Sequence, residues 1–395
     1  MTKLTLLLAA SLTVMSGALV APALPAIDAS FSARPDAPAN VSLLVRSLLT
    51  LPALGIIVGA PAAGWWLDRN RRRPILLVAL VVYALAGTVG FLLEGLYAIL
   101  VSRFVLGLSV AVILPTVVTL VGEYYEGEER SSFLGLQAAF MALGGTVFVA
   151  ISGVLAGAGW RYVFLVYAFS LVVAALVAFA LPEPERDAAP GPASYSAAVP
   201  PPAAQRSPIS KWVWFTYACT VVGMLAFYLV PVQSAFVMRA VGVEAEWLLG
   251  GGLIVATLVS AAVSANYGRL RRRFGIATLF ALAFLGMGVG YVVIGLGASV
   301  AAAIVGSMIA GGGAGLLMPN GNACVIEASA PARRGRLLGG LTTAVFVGQF
   351  VSPLAFSPVE AVAGGLLPGH LWFGAGTVAV AAGIWAVARG ASPTR

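Results

Sequence analysis

Apolar residues fall in long runs separated by short polar stretches, at about 4–26, 41–66, 75–93, 97–121, 133–156 and 162–181. A second set follows at about 212–237, 247–267, 276–296, 300–325, 337–359 and 371–387. Each run is near the ~20 residues a helix needs to cross the hydrocarbon core of a bilayer. Twelve transmembrane helices are therefore predicted. With 60% hydrophobic and 10% charged residues, and a mean hydropathy of +0.97, the chain cannot cover itself with a polar surface. The expected class is an all-α membrane protein.

The polar breaks carry the orientation. The run GWWLDRNRRRPIL at 64–76 sets Arg69, Arg71, Arg72 and Arg73 between spans 2 and 3. By the positive-inside rule that face is cytoplasmic. Threading the spans alternately puts Lys3, the 269–273 cluster, Arg333 to Arg336 and Arg389 on the same side, so both termini are expected in the cytoplasm. This placement accounts for the net charge of +8 and leaves little to support nucleic-acid binding. The first run has the charge and small residues of a signal peptide, but its length favours a retained span. Cys219 and Cys324 fall inside spans, match no metal spacing and read as structural thiols.

One offset relates the two sets of runs. Residues 204 positions apart match: Gly64 with Gly268, Arg69 with Arg273, Gly107 with Gly311, Pro115 with Pro319, Glu123 with Glu327, Arg130 with Arg334 and Gly144 with Gly348. Two parallel six-helix halves are predicted, at 1–181 and 211–395, joined by a Pro- and Ala-rich cytoplasmic linker at 182–210.

The first basic turn resembles the loop motif between spans 2 and 3 of the major facilitator superfamily (MFS). Gly64, Asp68, Arg69, Arg72, Arg73 and Leu76 match it, with Arg71 where the pattern has Gly. The resemblance covers nearly the whole chain and implies two pseudo-symmetric halves around a central cavity, with alternating access. Gly64 allows close helix contact, Asp68 can accept from a helix N-terminus, and the arginines can bridge carboxylates. Glu123 with Arg130, and Glu327 with Arg334, resemble the family's Glu and Arg seven apart after span 4 and span 10. Asp68, Arg72, Glu123, Arg130, Glu327 and Arg334 are therefore expected to form a gate latching the cytoplasmic side; the alternative is loop charges that only set topology. In the second turn Arg272 stands where Asp68 would repeat, so the halves should latch unequally.

Span 5 keeps Gly135, Gly144 and Gly153 of the family's antiporter motif, but Phe148 and Val149 replace its Gly-Pro pair. Pro353 supplies the kink in span 11 instead, and Pro115, Pro319 and Pro353 are the expected hinges. Arg103 with Gly107 resembles the family's Arg-x-x-x-Gly motif in span 4. An intramembrane arginine needs a reason, either work in the cavity or snorkelling to the outer surface. Spans 1, 4, 7 and 10 face the centre in this superfamily. The polar candidates for substrate or coupling work are Arg103, Asn320, Asn322, Tyr228 and Gln233, with Gln349 from span 11; each amide or hydroxyl also has a reading as packing glue. Asn320, beside Pro319, leads among the uncharged groups.

No acid falls near the middle of a run, so coupling goes either through a peripheral acid or not through protons. One histidine, no ligand-spaced cysteines and no phosphate loop exclude metal catalysis and ATP-driven transport by this chain. No cofactor or metal is expected. The reading is a monomeric secondary transporter of a bacterial inner membrane, not an enzyme, exporting a small hydrophobic or amphipathic compound, with protons as a possible partner. The alternatives are an uptake facilitator or symporter for a small metabolite, and a non-transporting receptor or scaffold. Asp68→Asn should favour inward-facing protein. Unchanged accessibility of engineered cysteines from outside would remove the latch.

Overall fold

The computed structural model describes residues 1–125, 127–182, 210–329 and 334–390. It is helical almost throughout, with no strand among the described residues. Span 1 is α1 (Thr2–Ala18), a 3-10 turn and α2 (Leu24–Ser32). Spans 2 to 5 are α3 (Val41–Arg69), α4 (Arg72–Thr88), α5 (Leu96–Tyr124) and α6 (Gly127–Ala158). Span 6 is a 3-10 segment, Trp160–Ala168, running into α7 (Phe169–Ala180). Span 7 is α8 (Lys211–Phe227) with α9 (Leu229–Ala240), and span 8 is α10 (Gly251–Ala265). The short α11 (Tyr267–Arg271) forms the second basic turn before span 9, α12 (Ile276–Gly297). Span 10 is α13 (Val300–Ala314) with α14 (Leu317–Glu327), and α15 (Arg334–Ala363) and α16 (Leu366–Gly390) complete the set.

Eleven of these segments are long and apolar enough to cross a bilayer, and α6 adds a shorter apolar stretch, Leu143–Ala158, which makes the expected twelve. Their outer faces carry apolar side chains such as Leu85 and Val101, each 63% exposed, which suit contact with lipid. Span 1 differs from its prediction. It runs to Ser32, six residues beyond the apolar run, and so carries Asp28 inside the membrane segment.

Three spans are interrupted, and one rule covers them. A proline has no N–H for the carbonyl four residues earlier, and its ring crowds that carbonyl. The helix ends at Ala18 ahead of Pro22, at Phe227 ahead of Pro231, and at Ala314, with Gly315 four before Pro319. Pro115 and Pro353, read as hinges, lie inside the continuous helices α5 and α15. Of the three expected hinges, only Pro319 accompanies a break.

The chain divides into two compact units, Met1–Pro184 with Pro231–Ile254, and Glu185–Val230 with Val255–Arg395. The second part of span 7 and the start of span 8 thus belong with the first unit. Glycine makes that packing possible. A Cβ on Gly153 of α6 would stand 3.0 Å from Trp247 Cα, and one on Gly250 would stand 2.6 Å from Val149 Cγ1. Gly144 faces Ser11 of α1 in the same way, at 3.2 Å. Of the glycines left from the antiporter motif, Gly144 and Gly153 are points of close approach, and the surroundings of Gly135 lie outside the described residues.

Within each unit the repeat survives as packing. A Cβ on Gly107 of α5 would lie 2.1 Å from the Pro52 carbonyl oxygen of α3, and one on Gly311 of α13 would lie 2.2 Å from that of Ala256 in α10. Both partners are related by the same offset of 204 as the glycines. By contrast, Gly339 and Gly268 have open space where a Cβ would stand.

Gly107→Ala and Gly311→Ala should each lower stability by about 1–3 kcal/mol, the range for overpacked cores. Gly339→Ala should be neutral or slightly stabilising, since alanine favours the helix. Thermal unfolding of the purified variants checks this, and three equal melting temperatures would refute it.

Candidate functional site

Two charged turns carry ion pairs, one in each unit. In the first, α3 and α4 are joined through Asn70 and Arg71, and Asn70 Nδ2 donates to the Trp66 carbonyl at 3.0 Å. Arg72 Nε lies 3.2 Å from Glu123 Oε1 at the end of α5. Arg73 donates to the Ala178 carbonyl near the end of α7. Beside them Lys3 Nζ pairs with Glu129 at 2.8 Å and stands over the Tyr125 ring, 5.2 Å from its centroid. Burial raises the Tyr125 phenol above its ordinary pKa, and Lys3 pulls the other way.

In the second unit Arg271 Nη2 reaches both oxygens of Glu327, at 3.2 and 3.1 Å. The two glutamates are repeat equivalents, but the arginines are not: Arg271 corresponds to Leu67, and Arg72 to Ile276. The acid is kept and its base is drawn from another place in the basic run. Sequence reasoning missed Arg271 because the offset that locates the acid misplaces the base. The predicted side chains of Gly64, Asp68, Arg69, Arg130 and Arg334 lie outside the described residues. All the pairs seen are partly exposed.

Arg103 is fully buried, which corrects the snorkelling alternative. Its Nη2 donates to the Gly87 carbonyl of α4 at 2.9 Å, and its guanidinium lies 4.9 Å from the Phe164 ring centroid and 4.7 Å from that of Tyr167. Space for these rings comes from span 3, where a Cβ on Gly87 of α4 would strike Tyr167 at 2.3 Å and one on Gly90, in the 3-10 turn Val89–Phe91 that follows, would strike Phe164 at 2.4 Å. Tyr167 in turn donates toward the carbonyls of Met15 and Ser16, at 3.4 and 3.3 Å, just before the break in span 1. Tyr83 donates to Leu12 in the same stretch at 2.6 Å. Arg103 therefore ties spans 3, 4 and 6 to the broken segment of span 1.

The remaining polar candidates separate by how their atoms are used. Asn320 is fully buried and committed at both ends: it accepts from the Tyr267 hydroxyl at 3.0 Å and donates to the Ile276 carbonyl at 2.9 Å. In this conformation its amide is engaged on both sides. Tyr228 is partly buried and Gln349 is buried. Asn322 is partly exposed. Gln233 is fully buried, and neither its amide nitrogen nor its oxygen has a partner among the described residues. Asp28 was missed because its apolar run stops at Ala26; it accepts from Ser42 at 3.2 Å. Most hydroxyls of spans 1 and 4 donate to their own helix: Ser11 to Leu8, Ser16 to Thr13, Ser102 to Ile99 and Thr116 to Val112.

A family model described as Major Facilitator Superfamily matches residues 6–353. The chain is 29% identical over 137 residues to the niacin transporter NiaP of Acinetobacter baylyi (strain ATCC 33305 / BD413 / ADP1), covering 34% of this chain and 31% of that protein. It is 29% identical over 132 residues to multidrug resistance protein 2 of Bacillus subtilis (strain 168), covering 33% of each. These matches span about a third of the relatives. Among solved structures, the nucleoside transporter NupG is similar at a TM-score of 0.77 and 10% identity, over 98% of this chain and 99% of that one. A D-xylose–proton symporter is similar at 0.74 and 17%, over 97% and 96%. At such identities the likeness is one of fold.

Arg103→Ala should destabilise the protein by on the order of 2–5 kcal/mol, as large-to-small core changes do. Arg103→Met, which keeps most of the volume and removes a buried charge, should lose much less. Melting temperatures of the purified variants decide. A wild-type value for Arg103→Ala would show that the ring contacts hold nothing together.

Proposed function

Because the chain belongs to the Major Facilitator Superfamily, we propose that it exports a small hydrophobic or amphipathic compound by alternating access, driven by proton antiport. Membership makes it an integral membrane transporter of small molecules and not an enzyme. The observation that carries the finer reading is the use of the polar groups. Most hydroxyls of spans 1 and 4 donate to their own backbone, Asn320 is engaged on both sides, and Arg103 is buried among rings. These groups offer little to replace the water around a sugar, whereas an apolar body with one polar end needs few partners. Relatives named for multidrug resistance, at 28–29% identity over about a third of the chain, support export.

Orientation follows the basic turns: both termini in the cytoplasm of a bacterial inner membrane, as a monomer. The Arg72–Glu123 and Arg271–Glu327 pairs then lie on the cytoplasmic side. Exposed pairs contribute ~0–1 kcal/mol each, weak enough for a gate that must open in every cycle. Asp28, an acid inside span 1, is the coupling group of this reading. The second reading, a facilitator for a small metabolite, is favoured by the relatives named for niacin transport.

Inside-out vesicles energised with a proton gradient should release protons when amphipathic compounds are added. Asp28→Asn should abolish that release and leave counterflow of the same compound. No release across a panel, with counterflow of nicotinate or nicotinamide present, would replace export by the facilitator reading.

A further inference from the structure

Among the buried uncharged side chains with an unpaired polar atom, which also include Gln137, Ser152 and Thr220, two lie on helices joined by a direct contact. Thr50 of α3 and Gln233 of α9 are each fully buried. The threonine hydroxyl and both polar atoms of the glutamine have no hydrogen-bond partner among the described residues. Buried polar groups are nearly always paired, and each exception asks for an occupant.

Both lie in the first unit, and one contact sets them at a common level. The Arg46 guanidinium of α3 packs 5.0 Å from the Phe236 ring centroid of α9. Spans 2 and 7 cross the membrane in opposite directions. Thr50 is four residues after Arg46, and Gln233 is three before Phe236. Each step is about one helical turn, in the same direction and on the same face as the contact. Thr50 is the tenth residue of α3, about 14 Å along it, near the middle of a ~30 Å hydrocarbon layer. Gln233 follows Pro231, just past the break in span 7, and interrupted helices are where transporters of this kind place their sites.

We propose that Thr50 and Gln233 form a neutral hydrogen-bonding subsite that takes the carboxamide end of a small aromatic cargo. This rests on the reading of the chain as a transporter of amphipathic compounds and names the polar end it accepts. A primary amide presents an acceptor oxygen beside donor N–H groups, and a cargo carboxamide pairs with it through two parallel hydrogen bonds. The threonine hydroxyl can serve either remaining position. A carboxylate only accepts, so it would leave the Gln233 oxygen unpaired; a ketone would leave the same oxygen unpaired for lack of a donor. Both polar groups are enclosed in this conformation, so the cargo enters when spans 2 and 7 part here.

The test uses the purified full chain in nanodiscs with three probes: nicotinamide, 3-acetylpyridine, which keeps the ring and carbonyl but lacks the N–H donors, and nicotinate. Wild type should bind nicotinamide about tenfold more tightly than the other two. Gln233→Leu should erase that preference by weakening nicotinamide alone, and Thr50→Val should reduce it. If Gln233→Leu does not fold, as judged by size-exclusion and thermal unfolding, Thr50→Val carries the test. Equal loss for all probes, an unchanged preference, or nicotinate as the tightest probe would overturn the subsite. So would unchanged binding with a raised melting temperature in Gln233→Leu, the signature of a site holding only water. If wild type ignores all three probes yet moves compounds of the vesicle panel, the subsite falls and the transporter reading stands; if it moves nothing, both fall.

Discussion

A carbonyl freed inside a bilayer has no water to turn to, so another part of the protein must satisfy it or the helix cannot break there. Side-chain hydroxyls gather on backbone carbonyls close to two of the breaks. Near the break in span 1, Tyr83 and Tyr167 supply hydroxyls to the carbonyls of Leu12, Met15 and Ser16. At the break in span 7, Ser352 donates to Leu225 at 2.8 Å and Tyr291 donates to Ala226. Holding Tyr167 in place then requires glycine at 87 and brings the buried Arg103 onto its ring. Broken helices, buried tyrosines and an intramembrane arginine are one connected arrangement.

The spans were legible because hydrophobic length is a property of the chain alone. Predicted runs such as 276–296 and 97–121 agree within a few residues with Ile276–Gly297 and Leu96–Tyr124. The family was legible from the basic turn and the 204-residue repeat. Individual polar roles were not. Whether an intramembrane amide is glue or open depends on what stands opposite it, and nothing in the run LLMPNGNACVIE announces that Asn320 meets Tyr267 and Ile276. Arg103 was ambiguous for the same reason. Nor were the breaks legible: Pro22, Pro231 and Pro319 accompany them, but Pro52, Pro115 and Pro353 lie inside continuous helices, so a proline alone does not separate a break from a tolerated position.

The two halves have diverged in a particular order. Glycine against backbone is retained at Gly107 and Gly311, where no side chain can be admitted. The acids are retained at Glu123 and Glu327, while their bases have moved along the turn. Of the equivalent prolines, only Pro319 accompanies an interrupted helix. Steric contacts tolerate no substitute, whereas a flexible arginine can reach one acid from several positions.

The closeness of Gly107 to Pro52, and of Gly311 to Ala256, also restricts movement. Helices separated by a layer of side chains can slide by small rotamer adjustments, as in shear motions. Backbones in direct contact have no such layer to deform. Sliding span 2 against span 4, or span 8 against span 10, would therefore cost more than bending a span at a proline break.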